Sequence, residues 1–439
     1  MRPLSGCVSA AVVGFSSRAT RPSWEIGGRG TDHGMRRCRT MGCPLVGMRD
    51  HGMIACCRSK RVRSASRWGS MATGLGLSIG TVNAVSALTG TPEGAGRGRR
   101  RRPDPSFVTT HRTSLVFDST GLARLGTIPP HGRVITEFAD LGRPETKGAR
   151  IGNHALRPAD LVAVVTDCLI SDARRDPRGD DAEVVLAHPI GYGPELVAML
   201  RSALDWAGLE RVRLVSEPVA AAAWLEAEYG PLMPGLALVY DLGGATVDIT
   251  LVRVGGGSPD DPVIGTPLRS RAFGGRAFGA LVAERSWGGR AAGDEVSSDS
   301  VSTDALRVDH VRGSLDLVYR CLRSADVTMA DVDRILVVGG ASRPAQVARV
   351  LSDELARPVV TTPDPECVVA LGASVLARRE REAAAEEPLR MRSLSRLARR
   401  RRAAVLAGSS VAVAVAATMS ADTVWADTVW AGLPLLGAG

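Results

Sequence analysis

Residues 239–248 read V-Y-D-L-G-G-A-T-V-D, a strand–turn–strand pattern with a glycine pair at its centre. The first strand is apolar and ends at Asp241. Gly243 and Gly244 let the backbone turn sharply and approach a ligand closely, and Thr246 opens the second strand. A carboxylate, backbone N–H groups and a hydroxyl in one turn suit a magnesium-bound phosphate. Ordinary hairpins use the same residue types, so the rest of the chain has to decide.

The composition is that of a globular protein with room for two or three domains: 439 residues, 44% hydrophobic and 23% charged. Aromatic residues make up 4% of the chain, which argues against a base-stacking surface for single-stranded nucleic acid. The net charge of +9 arises in residues 1–70, which carry 13 basic and 3 acidic side chains, against 42 and 43 in the remainder. No nucleic-acid partner is therefore expected.

Ordered patterning begins directly after Met71. Residues 1–70 show no helical or strand period, so we interpret them as a disordered extension or as a segment wrongly assigned to the protein. From Met71 onward, strands alternate with helices in two similar halves, which predicts α/β layering. The second half includes a polar, flexible segment over Ser286–Thr303 and one helix over Val308–Ser324.

Three glycine turns follow predicted strands, and between them an acidic residue opens an Ala-rich helix. The turns are Gly80-Thr81, Gly243-Gly244 and Gly339-Gly340, and the helix begins at Glu217-Pro218. The longer segments that contain these motifs or lie between and after them are, in chain order, Gly76–Val85, Ala187–Leu225, Tyr240–Asp248, Phe273–Phe278, Ile335–Arg343 and Pro365–Ala373. This order of motifs resembles the actin-like ATPase superfamily, and most closely the DnaK-type heat-shock chaperones of the heat shock protein 70 family. The resemblance implies an α/β, two-lobed actin-like ATPase fold over residues 71–381, with duplicated mixed-sheet lobes enclosing a nucleotide cleft.

The resemblance also implies ATP and Mg²⁺ as cofactors and assigns roles to individual residues. Asp241 would contact Mg²⁺ through water and, with Glu217 and Thr246, forms the candidate catalytic set. Glu217 and Pro218 would couple nucleotide state to lobe movement. The remaining candidates bind the nucleotide: phosphate would be contacted by Gly80, Thr81, Gly243, Gly244 and Thr246, and adenosine by Gly339, Gly340 and Arg343.

Several positions depart from the family's pattern. The family carries an aspartate in the first turn, where this chain has Ser78, and a lysine where the local match offers Pro129 and Pro130. Lys147 is the single lysine after Met71, and it belongs to a different loop. Because phosphoryl transfer depends on positioning and charge stabilisation, we expect hydrolysis to be weak or absent. The segment between Gly275 and Leu336 is also short, which indicates a reduced subdomain over the adenine.

The family's peptide-binding domain is not recognisable after Arg381. Residues 382–402 are interpreted as a basic linker, with seven arginines in 390–402. Residues 403–419 carry no charge and predict a single membrane span, with 420–439 as a short tail. A flexible Ala-rich tail or a surface helix are the alternatives. The arginines would place the nucleotide domain on the cytoplasmic side of the inner membrane, while the three scattered cysteines in apolar context are equally typical of a soluble cytoplasmic domain.

The leading functional hypothesis is an ATP-binding, DnaK-like protein with a chaperone-type or regulatory role. Two alternatives stay open. One is an active ATPase of the same fold whose cation contacts come from elsewhere, such as an arginine. The other is a membrane-tethered scaffold of actin-like fold that binds no nucleotide. The sequence names neither client proteins nor co-chaperones.

Overall fold

The computed structural model describes residues 73–90, 107–119, 121–127, 133–176, 179–256, 261–291 and 302–385. The strands in chain order are β1 Thr73–Ile79, β2 Asn83–Gly90, β3 Phe107–Arg112, β4 Leu115–Phe117, β5 Ala123–Leu125, β6 Ala149–Ile151, β7 His154–Leu156, β8 Glu183–His188, β9 Arg213–Ser216, β10 Gly235–Leu242, β11 Val247–Val254, β12 Val263–Ser270, β13 Arg334–Val338 and β14 Val359–Val360. The helices are α1 Pro158–Ala173, α2 Pro194–Trp206, α3 Glu217–Tyr229, α4 Gly275–Ala291, α5 Thr303–Gly313, α6 Leu315–Ser324, α7 Ala345–Leu355 and α8 over residues 368–385.

The first lobe is built on a five-stranded sheet in the order β3-β2-β1-β8-β9. Strands β1, β2 and β3 are antiparallel neighbours, whereas β8 and β9 continue the sheet in parallel with β1. Helices α1 and α2 pack with this sheet in one apolar core, which contains Leu75, Leu77, Leu169 and Leu204. The parallel strands place the carboxyl ends of β1 and β8 at one edge of this sheet.

The second lobe repeats the same arrangement. Its five-stranded sheet runs β12-β11-β10-β13-β14, with three antiparallel strands followed by two parallel ones. Asp241 at the end of β10 pairs with Asp248 near the start of β11, so both carboxylates lie at the same edge of the sheet. Both sheets have three antiparallel strands followed by two parallel ones. This repeat confirms the predicted α/β duplication and fits an actin-like ATPase fold.

Helices α3 and α8 lie between the two sheets. They share one apolar cluster with strands of both lobes, including Val185 of β8 and Val239 of β10. The helices approach each other closely, because a Cβ added at Gly372 would lie 1.7 Å from the carbonyl oxygen of Ala220. A Cβ at Gly76 would lie 2.0 Å from the carbonyl oxygen of Ala370, so α8 also packs directly on β1. These contacts hold the carboxyl ends of β1 and β10 on either side of one cleft.

Two sequence-based expectations are wrong in detail. The single helix expected over Val308–Ser324 is two helices, α5 and α6, separated at Ser314. The hydroxyl of this fully buried serine donates to the carbonyl of Val311, a local bond that competes with regular helix geometry. The segment expected to be flexible from Ser286 onward is helical as far as Ala291, within α4. Strand β12 was not predicted, because V-I-G-T-P-L-R-S lacks a clear alternation of apolar and polar residues.

Among the described helices, none combines the length and the apolar character that crossing a bilayer requires. The span expected over residues 403–419 lies outside the described residues, as do residues 1–70 and 420–439. The basic linker expected over 382–402 is described only as far as residue 385, where it continues α8.

Candidate functional site

The first glycine turn joins β1 to β2 and is supported by the residue that follows β3. The amide of Gly80 donates to the carbonyl of Asn83 at 2.9 Å, which closes the turn. The hydroxyl of Thr113 donates to the carbonyl of Gly80 at 2.7 Å. Thr81 and Val82 form the tip, and their amides donate no hydrogen bond to any described residue. The tip therefore presents backbone donors toward the cleft.

The second glycine turn joins β10 to β11 and is supported by the start of α4. The amide of Gly243 donates to the carbonyl of Thr246 at 2.9 Å, and the amides of Gly275 and Arg276 donate to the carbonyls of Gly243 and Gly244. The amides of Gly244 and of the alanine after it donate to no described residue. This turn mirrors the first one and presents its own backbone donors to the same cleft.

The two turns face each other closely. A Cβ added at Gly244 would lie 2.5 Å from Cγ2 of Val82 and 3.1 Å from Oγ1 of Thr81. Gly243, next to it, would place its Cβ no closer than 3.4 Å to the carbonyl oxygen of Thr246. Gly244 therefore stands where the lobes approach, and the absence of a side chain there sets the width of the cleft.

The third glycine turn follows β13. Gly339 has φ +87°, a conformation that favours glycine, and a Cβ there would lie 2.3 Å from Oδ1 of Asp241. Arg343, predicted to line the adenosine, forms ion pairs with Asp364 and Glu366. It is about half exposed, at 54% of its side-chain area. Its guanidinium is therefore held at the cleft mouth by two carboxylates.

One cleft of about 460 Å³ is lined by all ten residues predicted for the site, and its volume lies within the range usual for ligand pockets. These residues are Gly80, Thr81, Glu217, Asp241, Gly243, Gly244, Thr246, Gly339, Gly340 and Arg343. The structure brings them together, while their individual roles stay predictions. The hydroxyl of Thr246 donates to Oδ2 of Asp248 at 2.9 Å, so its lone pairs, rather than its proton, are left for other contacts.

The carboxyl groups of the cleft are crowded. Glu217 occupies the first turn of α3, near the positive end of that helix. Burial, followed by repulsion from Asp241 and Asp248, nevertheless raises the pKa of Glu217 well above its ordinary value. Burial and the Asp248 carboxylate raise the pKa of Asp241 to about 7. Carboxyl groups this close together repel one another when they are ionised, so a nearby positive charge stabilises their ionised forms.

The sequence did not indicate the two arginines that supply this positive charge. Arg269, from the unpredicted strand β12, lies with Nη1 3.5 Å from Oδ1 of Asp248 and Nη2 3.7 Å from Oδ1 of Asp140. Arg271 donates from Nη2 to Oδ2 of Asp140 at 3.1 Å. The arginine-x-arginine pattern before the Gly274-Gly275 segment was the available signal, but nothing in the sequence alone pairs it with Asp140.

The residues of the cleft fit a polyphosphate better than they fit a directly bound metal ion. Two opposed turns with available amides and no side chains at Gly243 and Gly244 can accept phosphate oxygens. Mg²⁺ requires a near-octahedral set of oxygen ligands, yet no three carboxylate, His or Cys side chains among the described residues converge in a way that could hold an ion. A contact of Asp241 to Mg²⁺ through water stays a prediction.

Comparison with known families agrees with this geometry. The family model described as "Hsp70 protein" matches residues 141–287 and 301–389, which together make up more than half of the chain. The chain belongs to the Hsp70 family. The matched segments contain α1, the five-stranded sheet of the second lobe and most of the cleft-lining residues, whereas the first turn at Gly80 precedes them.

Individual Hsp70 relatives match over part of their length. The chain is 26% identical over 253 residues to the "Chaperone protein HscA homolog" of Aliivibrio salmonicida, which covers 51% of this chain and 41% of the relative. It is 29% identical over 281 residues to the "Chaperone protein HscA" of Edwardsiella ictaluri, covering 56% of this chain and 44% of the relative. The chain thus spans about two fifths of the length of these Hsp70 proteins.

Within this Hsp70 cleft, the position expected to carry a charge is neutral. Ser78 is the next-to-last residue of β1, is 9% exposed and lines the cleft beside the first turn. Lys147 is exposed in its loop and does not belong to the lining residues that the structure describes. The cationic groups in the lining are Arg269, Arg276 and Arg343, so arginine supplies the positive charge of the described cleft.

Proposed function

We propose that the protein binds ATP in the cleft between its two lobes and serves a chaperone-type or regulatory role with slow or no hydrolysis. The observation that carries this proposal is the pair of glycine turns, 80–82 and 243–246, which oppose each other with available backbone amides. Amides fixed on both sides of a narrow cleft favour the negative charge of phosphates. The chaperone part rests on the names of the matched relatives, of which this chain spans only a part.

Each residue has a role in this proposal. The amides of the two turns bind the β- and γ-phosphates. The Thr246 hydroxyl donates its proton to Asp248, so that its lone pairs are oriented to accept a contact. Asp241 would contact water bound to Mg²⁺ that enters with the nucleotide. Gly339 and Gly340 leave room for the adenosine beside Arg343. Glu217, which opens α3 between the two sheets, would transmit the state of the nucleotide to the lobes.

The proposal is tested by titrating the full-length chain with ATP, ADP and AMP in a calorimeter. We expect binding of ATP and ADP and much weaker binding of AMP, because AMP lacks the phosphates that the two turns would hold. No binding of ATP at millimolar concentration would refute the proposal and favour a scaffold without nucleotide.

Slow hydrolysis is tested separately by phosphate release. Ser78→Asp introduces a carboxylate near the end of β1, and we expect it to increase turnover, because a carboxylate there would hold water around Mg²⁺ that a serine cannot organise by charge. Ser78→Asn is the matched control, because it has the same shape without the charge. Rapid turnover by the unmodified protein would support the alternative of an active ATPase whose cation is an arginine.

Membrane tethering through residues 403–419 rests on the sequence pattern alone and stays a separate proposal. Extraction of the membrane fraction with alkaline carbonate checks it. A spanning segment keeps the protein in the pellet, whereas release of the protein into the supernatant would contradict the span.

A further inference from the structure

The side chain of Arg269 lies in a groove that the backbone leaves open for it. A Cβ added at Gly191 would lie 2.9 Å from Cδ of Arg269 and 3.5 Å from Nη1. Gly191 follows β8 in the first lobe, whereas Arg269 belongs to β12 in the second. The arginine therefore crosses the cleft, and its 20% exposed side chain is largely enclosed by both lobes.

The carboxylate on the far side of Arg269 is held in place by its own contacts. The hydroxyl of Tyr192 donates to the carbonyl of Ala139 at 2.9 Å and accepts from the amide of Leu141 at 2.9 Å. These two bonds fix the backbone on both sides of Asp140. Arg271 donates to the other carboxylate oxygen of Asp140. Asp140 is thus positioned before any ligand enters, and it orients Arg269 through an ion pair at 3.7 Å that is longer than a hydrogen bond.

The contacts of Arg269 leave hydrogen-bonding capacity unused. Its Nη1, Oδ1 of Asp248 and Oδ1 of Asp140 are buried without a hydrogen-bond partner among the described residues. Buried charged groups normally have such partners, because leaving them unpaired costs free energy. A guanidinium whose Nη1 is ion-paired with Asp248 but donates no hydrogen bond to a described residue, lining the same cleft as the two glycine turns, can donate to phosphate oxygens.

The position beside Asp248 is one where a cation is needed. Glu217, Asp241, Asp248 and Asp140 all line the cleft, and the phosphates of ATP would add further negative charge. The described residues do not assemble a direct ligand set for a metal ion. We propose that the guanidinium of Arg269 contacts the terminal phosphates of ATP. Its positive charge beside Asp248 would make ATP binding largely independent of Mg²⁺.

This inference rests on the proposed function, and the experiment separates the two. ATP is titrated into the full-length protein in EDTA and in millimolar Mg²⁺, for the unmodified chain and for Arg269→Gln. The unmodified protein should differ by less than about 3-fold between the two conditions. Arg269→Gln should lose roughly 10- to 100-fold in affinity in EDTA, which corresponds to one lost charged hydrogen bond, and Mg²⁺ should restore part of that loss.

The groove at Gly191 offers a second variant that leaves the arginine in the sequence. Gly191→Val should displace the Arg269 side chain and weaken binding in EDTA as Arg269→Gln does. Gly193→Val is the matched control, since no atom lies within 4 Å of a Cβ at Gly193. Equal weakening by both valine variants would contradict the inference, because it would mean that the local loop and not the arginine matters.

Thermal unfolding in Mg²⁺ without nucleotide gives an independent measurement. Removal of Arg269 leaves Asp140 and Asp248 without their shared cation, so millimolar Mg²⁺ should raise the melting temperature of Arg269→Gln and leave that of the unmodified protein unchanged. Unmodified protein that binds ATP only in the presence of Mg²⁺ would overturn the inference while the proposed function stands. Tighter ATP binding by Arg269→Gln would show that the arginine blocks the cleft. No ATP binding under any condition would refute the proposed function itself.

Discussion

The contact between the two glycine turns leads to the sharpest prediction, for Gly244→Ala. The new Cβ would lie 2.5 Å from Cγ2 of Val82, whereas carbon atoms in contact are about 3.5–4.0 Å apart. The turns must therefore separate by about 1 Å, or the Val82 side chain must rotate. Overpacking of this size costs about 1–3 kcal/mol. Because the proposed site requires both turns on the same phosphates, ATP affinity should fall by about 5- to 150-fold.

Two further variants isolate the cause. Gly279→Ala in α4 is the control, because its Cβ has open space around it and the residue does not line the described cleft, so ATP affinity should change by about 2-fold or less. Val82→Ala removes Cγ2 and should restore affinity when it is combined with Gly244→Ala.

The assay is calorimetric titration of the full-length protein with ATP, with melting temperatures measured to confirm folding. Equal effects of the two glycine variants, or no rescue by Val82→Ala, would refute the reasoning. Either result would mean that the separation of the turns does not control nucleotide binding.

Three other predictions concern stability, each measured by denaturant unfolding. The pKa of Asp241 is raised to about 7, so between its ordinary pKa and that pH the folded state binds more protons than the unfolded one, and stability should fall by about 1 kcal/mol as the pH rises from 6 to 8. Asp241→Asn should reduce this dependence and leave the part that Glu217 contributes, and an unchanged slope would contradict the assignment. Gly372→Ala should lower the free energy of unfolding by at least about 2 kcal/mol, because its Cβ meets backbone. Gly279→Ala, with open space around its Cβ, should raise that free energy by about 0.5–1 kcal/mol. Similar effects of the two variants would speak against the close packing of α8. Tyr240→Phe should cost about 1–2 kcal/mol through its 2.7 Å bond to Ser314, and additivity with Ser314→Ala would argue against that bond.

Much of the architecture could be predicted from local patterns. Strand periodicity, the Gly80, Gly243 and Gly339 turns and the helix opened by Glu217 each depend on neighbouring residues only, since glycine permits conformations and close approaches that other residues do not. Their order along the chain was enough to predict two duplicated lobes and the family. The sequence predicts one helix where the structure has two, separated at Ser314, because a serine within a helical pattern does not show whether its hydroxyl bonds to the Val311 carbonyl.

The charge balance of the cleft was decided by tertiary structure. Asp140 precedes α1 in the first lobe, whereas Arg269 lies near the end of β12, a strand of the second lobe with no clear period, and Arg271 follows that strand directly. No local pattern links these segments, which are about 130 residues apart. Only the packing of α3 and α8 between the sheets brings them to the same edge. The sequence thus determined the turns that can hold phosphate, because turn geometry is local, whereas the fold determined which cation faces them, because electrostatic contact depends on distance in space.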